Sequence, residues 1–161
     1  MNRTAAAFLL IAVLTGLLTA LSIAVEMKGY AFGALGTARL DGLVSARSFM
    51  PLAAIYAFAA ALMMLLPLRA AGFVMSNAAI PVFSTALVLL ATIIGVQAAR
   101  FAFGNQGALM ALVDWQFIFA AAIIAAHLAM NELRRNVLLR TLFFVVFIAV
   151  TLACLFWTFR F

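Results

Sequence analysis

The feature that most constrains this chain is a series of apolar runs, each close to the length of a membrane-spanning helix. Hydrophobic residues make up 70% of the 161 residues, and charged residues only 9%. A soluble globular domain has about 45–50% apolar and about 25% charged residues. Too few polar residues remain here to cover a water-facing surface, so the chain must face lipid. We therefore predict an all-α integral membrane protein.

Five of these runs approach the roughly 20 mostly apolar residues that a transmembrane helix requires. Long polar linkers and low-complexity tracts are absent from the sequence, so residues 1–161 are expected to form a single transmembrane domain. The expected architecture is a bundle of five helices. The predicted spans cover approximately residues 4–25, 49–68, 78–98, 109–130 and 137–158.

The net charge of +6 comes from ten basic residues that are dispersed at the ends of the apolar runs. This is the pattern of membrane-flanking anchors and not of a phosphate-binding stripe, so we exclude nucleic acid as a partner. Five spans place five basic residues on each side of the membrane. The amino terminus and the dense group Arg134, Arg135 and Arg140 favour a cytoplasmic N-terminus in a bacterial inner membrane. A periplasmic readout from an N-terminal reporter would overturn that orientation.

Small residues recur at helical spacing on two of the predicted spans. Such ridges let helix backbones approach closely in lipid. The alternative is that alanine is simply common in this chain. The two ridges are Ala12, Gly16, Ala20 and Ala24 on the first span, and Ala53, Ala57 and Ala61 on the second.

His127 is the only histidine, and it lies on the fourth predicted span. Offsets of four and eleven residues return to nearly the same helix face, so Gln116, His127 and Asn131 form a polar stripe. Ionisable residues inside a membrane are costly and face the protein interior or a cavity. The functional interpretations of His127 are a proton relay, a haem or chlorin ligand, or a contact to a quinone or lipid headgroup. The structural interpretation is a neutral imidazole that is hydrogen-bonded to Thr85, Thr92 or Thr151 on another helix.

The remaining chemistry-bearing residues point to no catalytic set. The four acids lie at span ends or in connections, and Asp114 is predicted to cap a helix N-terminus. No cluster at metal-ligand spacing is present, and no particular cofactor is implied. No base is near Cys154 in sequence to activate its thiol.

The basic group Arg134, Arg135 and Arg140 admits two interpretations. It could bind anionic lipid headgroups, or it could act as a plain topogenic anchor. Glu132 and Arg135, three residues apart, are expected to form a surface ion pair of little energetic value.

Asp114-Trp115 and His127 on one helix of a small bundle resemble the layout of anthrone-oxygenase-like membrane proteins. Alanine and isoleucine occupy the surrounding positions where we would expect polar residues, so we assign the chain to no family.

The expected function is that of a non-catalytic accessory or scaffold subunit of a larger membrane complex. Its expected partners are membrane lipids and either other membrane subunits or further copies of itself. A small oligomeric permease or channel is the first alternative. A cofactor-binding subunit of a membrane enzyme, with His127 as the ligand, is the second.

Overall fold

The computed structural model describes residues 2–31, 33 and 46–159 of the chain, and every regular element in these ranges is helical. The all-α prediction is therefore confirmed for this part of the chain. In chain order the elements are α1 (Arg3–Met27), α2 (Ala46–Leu65), α3 (Leu68–Val74), a π-helical turn (Met75–Ala79), α4 (Ile80–Ala102), a 3-10 helix (Gln106–Val113), α5 (Trp115–Arg135) and α6 (Val137–Phe159).

Four helical stretches in the described ranges are long and apolar enough to cross a membrane. They are Arg3–Met27, Leu68–Ala102, Phe117–Arg135 and Val137–Phe159. The described apolar part of α2, Met50–Leu65, is shorter. Length and composition thus support a membrane protein with four candidate spans, where the sequence predicted five.

The third predicted span begins earlier than expected because the chain turns at Leu66–Pro67 and then stays helical from Leu68 to Ala102. Pro81 explains the π-helical turn inside this stretch. Its ring would clash with the carbonyl of residue 77 and it has no N–H to donate, so a regular α-helical turn is disfavoured there. The wider turn relieves this conflict, and the N–H of Ile80 bonds to the carbonyl of Met75.

The fourth predicted span begins later than expected. Gly104 adopts a positive φ of 90° in the turn that follows the end of α4. Residues 106–113 then form a 3-10 helix in place of an α-helix. Asp114 follows in extended geometry, and its carbonyl accepts the N–H of Ile118. The helix therefore starts at Trp115, and Asp114 occupies the position before the first turn where a cap was predicted.

The chain divides into two compact units. The first comprises Met1–Ala46 and Leu87–Ile118, and the second comprises Arg47–Ala86 and Phe119–Phe161. In the second unit the core is made of alanine, methionine and aromatic side chains on α2, α4, α5 and α6. The small-residue ridge predicted on α2 is buried in this core, since Ala53, Ala57 and Ala61 are each at most 3% exposed.

In the first unit, α1 turns its small residues inward and its large ones outward. Gly16 lies so close to α4 that a Cβ on it would be 3.3 Å from the carbonyl oxygen of Gly95. A Cβ on Gly95 would in turn meet Thr15 Oγ1 and the carbonyl oxygen of Ala12, and would be 2.9 Å from the amide nitrogen of Gly16. Two glycines thus allow the backbones of α1 and α4 to touch, which is the packing that small residues permit in lipid. The large residues that α1 exposes are Leu9, Leu10, Val13, Leu14, Leu17, Leu18, Leu21 and Met27.

We predict that Gly95→Ala destabilises the protein, because the added methyl group meets backbone atoms of α1 that have no freedom to move aside. Overpacking of this kind costs about 1–3 kcal/mol. The matched control is Gly72→Ala, whose new Cβ would have no atom within 4 Å. That control should be neutral or stabilising by up to ~1 kcal/mol, since alanine is the better helix former. Thermal unfolding in one detergent compares the two, and equal stability of both variants would contradict the close contact.

Candidate functional site

A cluster of three rings in the second unit brings together residues that lie far apart in sequence. Tyr56 lies on α2, Phe83 on the first turns of α4, and His127 in the middle of α5. The rings of Phe83 and His127 are stacked, with centroids 4.2 Å apart and planes 18° apart. The ring of Tyr56 meets His127 edge-on, with centroids 6.1 Å apart. The stacking fixes the plane of the imidazole against an apolar surface.

Two polar atoms of this cluster are buried without a hydrogen bond. Among the described residues, the hydroxyl of Tyr56 and Nδ1 of His127 are the buried side-chain polar atoms that have no partner. Tyr56 as a whole is only 2% exposed, whereas His127 is half-buried. An unsatisfied buried polar group costs about 1–3 kcal/mol. Most buried polar groups in native proteins are hydrogen-bonded, which makes these two atoms candidate contacts for a bound ligand.

The residues of the predicted polar stripe lie in different environments in the structure. The middle of that helix face points into the second unit, because Ala120 and Ile123 are buried and His127 is half-buried. Asn131 is exposed at the end of α5. The side chain of Gln116 lies outside the described part of the structure. His127 is therefore the stripe residue that reaches a defined site.

The hydrogen bond expected from His127 to a threonine of another helix is not observed among the described residues. Each candidate hydroxyl instead donates to a carbonyl of its own helix. Thr85 donates to Pro81 at 2.9 Å, and Thr151 to Phe147 at 2.8 Å. Thr92 donates to Val88 at 2.8 Å. Threonine hydroxyls readily bond back to the preceding turn of their own helix.

The cluster offers two complementary polar atoms beside a flat aromatic surface. The phenol of Tyr56 both donates and accepts hydrogen bonds, and Nδ1 of His127 accepts or donates according to the tautomer. His127 is the only histidine of the chain, so it alone could be a histidine ligand to a haem. The described residues contain no group of three His, Cys, Asp or Glu that could hold a metal ion.

The basic group predicted to meet lipid headgroups gathers at one chain turn. Arg134 and Arg135 lie in the last turn of α5, and Arg140 lies in the first turn of α6. Arg135 Nη1 is 3.9 Å from a carboxylate oxygen of Glu132, and both side chains are largely exposed. Asn136 joins the helices and accepts the N–H of Leu138 at 3.0 Å.

Sequence reasoning found His127 but missed its two aromatic partners. Tyr56 and Phe83 sit in spans rich in apolar residues and give no periodic signal of their own. The available signal was that Tyr56 is one of only two tyrosines in the chain. A phenol inside an apolar run needs a hydrogen-bond partner, which makes it a candidate neighbour for a histidine in the membrane.

Comparison of the chain with models of known families, with curated proteins and with solved structures finds no significant match.

We predict that Tyr56→Phe stabilises the purified protein by about 1 kcal/mol, because it removes an unpaired buried hydroxyl and keeps the ring. The thermal unfolding midpoint in detergent measures the change. Thr151→Val is the matched control, since it removes a buried hydroxyl that does have a hydrogen bond. The control is expected to be neutral or slightly destabilising. A clear loss of stability in Tyr56→Phe would mean that the phenol already has a partner in the purified protein.

Proposed function

We propose that this protein is a non-catalytic subunit that packs against a larger complex in a bacterial inner membrane, with its N-terminus in the cytoplasm. The observation that carries the proposal is the outward face of α5. Ala122 and Ala125 are exposed there, and the half-buried Ala129 lies on the same side of the helix. Offsets of three and seven residues place these alanines on one stripe.

This alanine stripe differs from the part of α6 that exposes large side chains. Helix α6 exposes large side chains such as Val145, Leu152 and Phe156, each about 60% accessible. Large apolar side chains suit contact with lipid tails, whereas small ones let a second helix approach closely. Between Ile118 and Leu128, which are 55% and 72% exposed, the stripe on α5 therefore offers a short small-residue surface to a transmembrane helix of a partner.

The two ridges predicted from the sequence do not carry this proposal. The α2 ridge is buried within the second unit, and Gly16 of the α1 ridge lies against Gly95. Both are used in contacts within the chain. The stripe of Ala122, Ala125 and Ala129 is not buried in this way, and it supports an external contact.

The basic group at the α5–α6 turn supports the same proposal at the membrane surface. Arg134, Arg135 and Arg140 gather where one helix ends and the next begins. Each arginine near an anionic membrane surface contributes about 1 kcal/mol of attraction. Bound headgroups there would hold this end of α5 at a fixed depth beside its partner.

We expect Ala125→Trp to reduce the recovery of partner proteins about tenfold, because a bulky ring keeps the partner helix at a distance. Tagged protein is extracted from native membranes in mild detergent, and co-purifying proteins are quantified by mass spectrometry. Ala149→Trp is the matched control, since Ala149 is an exposed alanine on α6 outside the stripe.

The control variant should recover the same partners as the wild type. Recovery of a second copy of this chain alone would reassign the stripe to self-association. A solitary wild-type monomer under these conditions would contradict the proposal.

A second candidate is binding of a planar cofactor or small ligand at His127. It is supported by the buried Nδ1 that has no hydrogen-bond partner and by the stacked ring of Phe83. A haem or chlorin bound there would give the purified protein a visible absorption band that His127→Ala abolishes. Asn131→Ala, which changes an exposed residue of the same helix, should leave the band intact. A colourless wild-type protein purified from native membranes would exclude these two cofactors.

A further inference from the structure

An apolar groove runs along the second unit, away from the ring cluster and separate from the alanine stripe. It has a volume of about 570 Å³ and is lined by α2, α3, the π-helical turn and α6. That volume is typical of sites for small molecules. We propose that this groove binds one acyl chain of an anionic phospholipid, with Arg69 beside the headgroup phosphate.

The lining of the groove selects hydrocarbon over any polar ligand. Only two of its lining residues, Asn77 and Thr151, have polar side chains. Nδ2 of Asn77 donates to the carbonyl of Phe73 at 2.9 Å, and Oγ1 of Thr151 donates to the carbonyl of Phe147 at 2.8 Å. These donors are already satisfied, so a polar ligand would gain little and would lose its own hydration.

The direction of the groove matches that of a lipid tail. On α2 its lining extends from Ala54 to Leu62, a length of about 12 Å along the helix axis. On the other side it begins at Phe73. The lining residues nearest in sequence to the Leu66–Pro67 turn are thus Leu62 and Phe73, and Ala54 lies farther along the helix. The groove therefore descends from a chain turn, where a headgroup would lie, into the apolar part of the unit.

Arg69 supplies the charge at that upper end. It lies one helical turn before Phe73, about 6 Å along the axis and near the same face. Helical side chains lean towards the N-terminus, so its guanidinium is directed back towards the turn. Arg69 is exposed and forms no ion pair with any residue that the structure describes. Arginine matches the geometry of phosphate oxygens, which makes an anionic headgroup the fitting partner.

The rim of the groove argues against a helix as the occupant. Ile55, Phe58 and Phe73 border it and are 54%, 51% and 71% exposed. A helix with its side chains is about 10 Å wide, and these bulky residues would hold it away from the floor. A single hydrocarbon chain is thin enough to pass between them. The floor itself is formed by buried alanines, Ala54 and Ala59.

The test uses full-length protein reconstituted in vesicles that contain equal amounts of phosphatidylglycerol and phosphatidylethanolamine. The protein is then extracted in mild detergent, and native mass spectrometry measures the mass of the protein with its retained lipids. The wild type should retain one phospholipid per chain, with phosphatidylglycerol favoured about fivefold, as expected for one arginine near the headgroup. Ala78→Trp, which fills the groove from the π-helical turn, should lose the retained lipid. Leu155→Trp, which fills it from α6, should do the same, and Ala149→Trp should not.

Arg69→Gln should keep a lipid but lose the preference for phosphatidylglycerol, and Arg69→Lys should restore it. Arg3→Gln removes an exposed arginine from α1 and should leave the preference unchanged. A lipid that survives both groove-filling variants, or a preference that survives Arg69→Gln, would overturn the proposal. So would a wild type that retains a second copy of this chain, or another protein, where the lipid is expected.

Discussion

Every backbone polar group of this chain that enters lipid must find its partner within the protein, and the helical structure follows from that constraint. Helices satisfy the backbone within one segment. The hydroxyls follow the same rule, since they donate to carbonyls three or four residues earlier. Thr15 and Thr19 do so on α1, and Thr151 and Thr158 on α6. These hydroxyls are therefore used within their own helices, and where they lie the association of helices depends on the fit of apolar surfaces.

That fit is achieved with small residues in both units. In water a helix buries its large apolar side chains away from the solvent. In lipid, the surroundings of a helix are apolar on the protein side and on the lipid side alike, so close backbone approach decides which face is packed. Gly16 against Gly95 in the first unit, and the alanines of α2 in the second, follow this logic. The exposed Ala122 and Ala125 of α5 present the same kind of small-residue surface.

How much the sequence predicts depends on the range of the interaction. The helices and the position of Asp114 before α5 are local properties, and apolar length and capping chemistry anticipate them. The helix that continues through residues 70–77 was not anticipated, because a π-helical turn before Pro81 replaces the expected break. The ring cluster was beyond local reasoning, since Tyr56 and His127 meet only through the packing of α2 against α5. Apolar residues lie on nearly all faces of such helices, so their spacing does not specify which faces meet.

Hydrogen-bond satisfaction also separates the groove from the ring cluster in the second unit. Along the groove, the donors of Asn77 and Thr151 are already bonded within their own helices, so only hydrocarbon gains by entering. At the ring cluster, Tyr56 and His127 each keep a buried polar atom without a partner, so only a group with its own polar atom gains there. A lipid tail placed at the ring cluster would leave both atoms unsatisfied, and a polar ligand placed in the groove would lose its hydration without compensation. Hydrogen-bond satisfaction thus assigns opposite chemistries to two sites of one small helical unit.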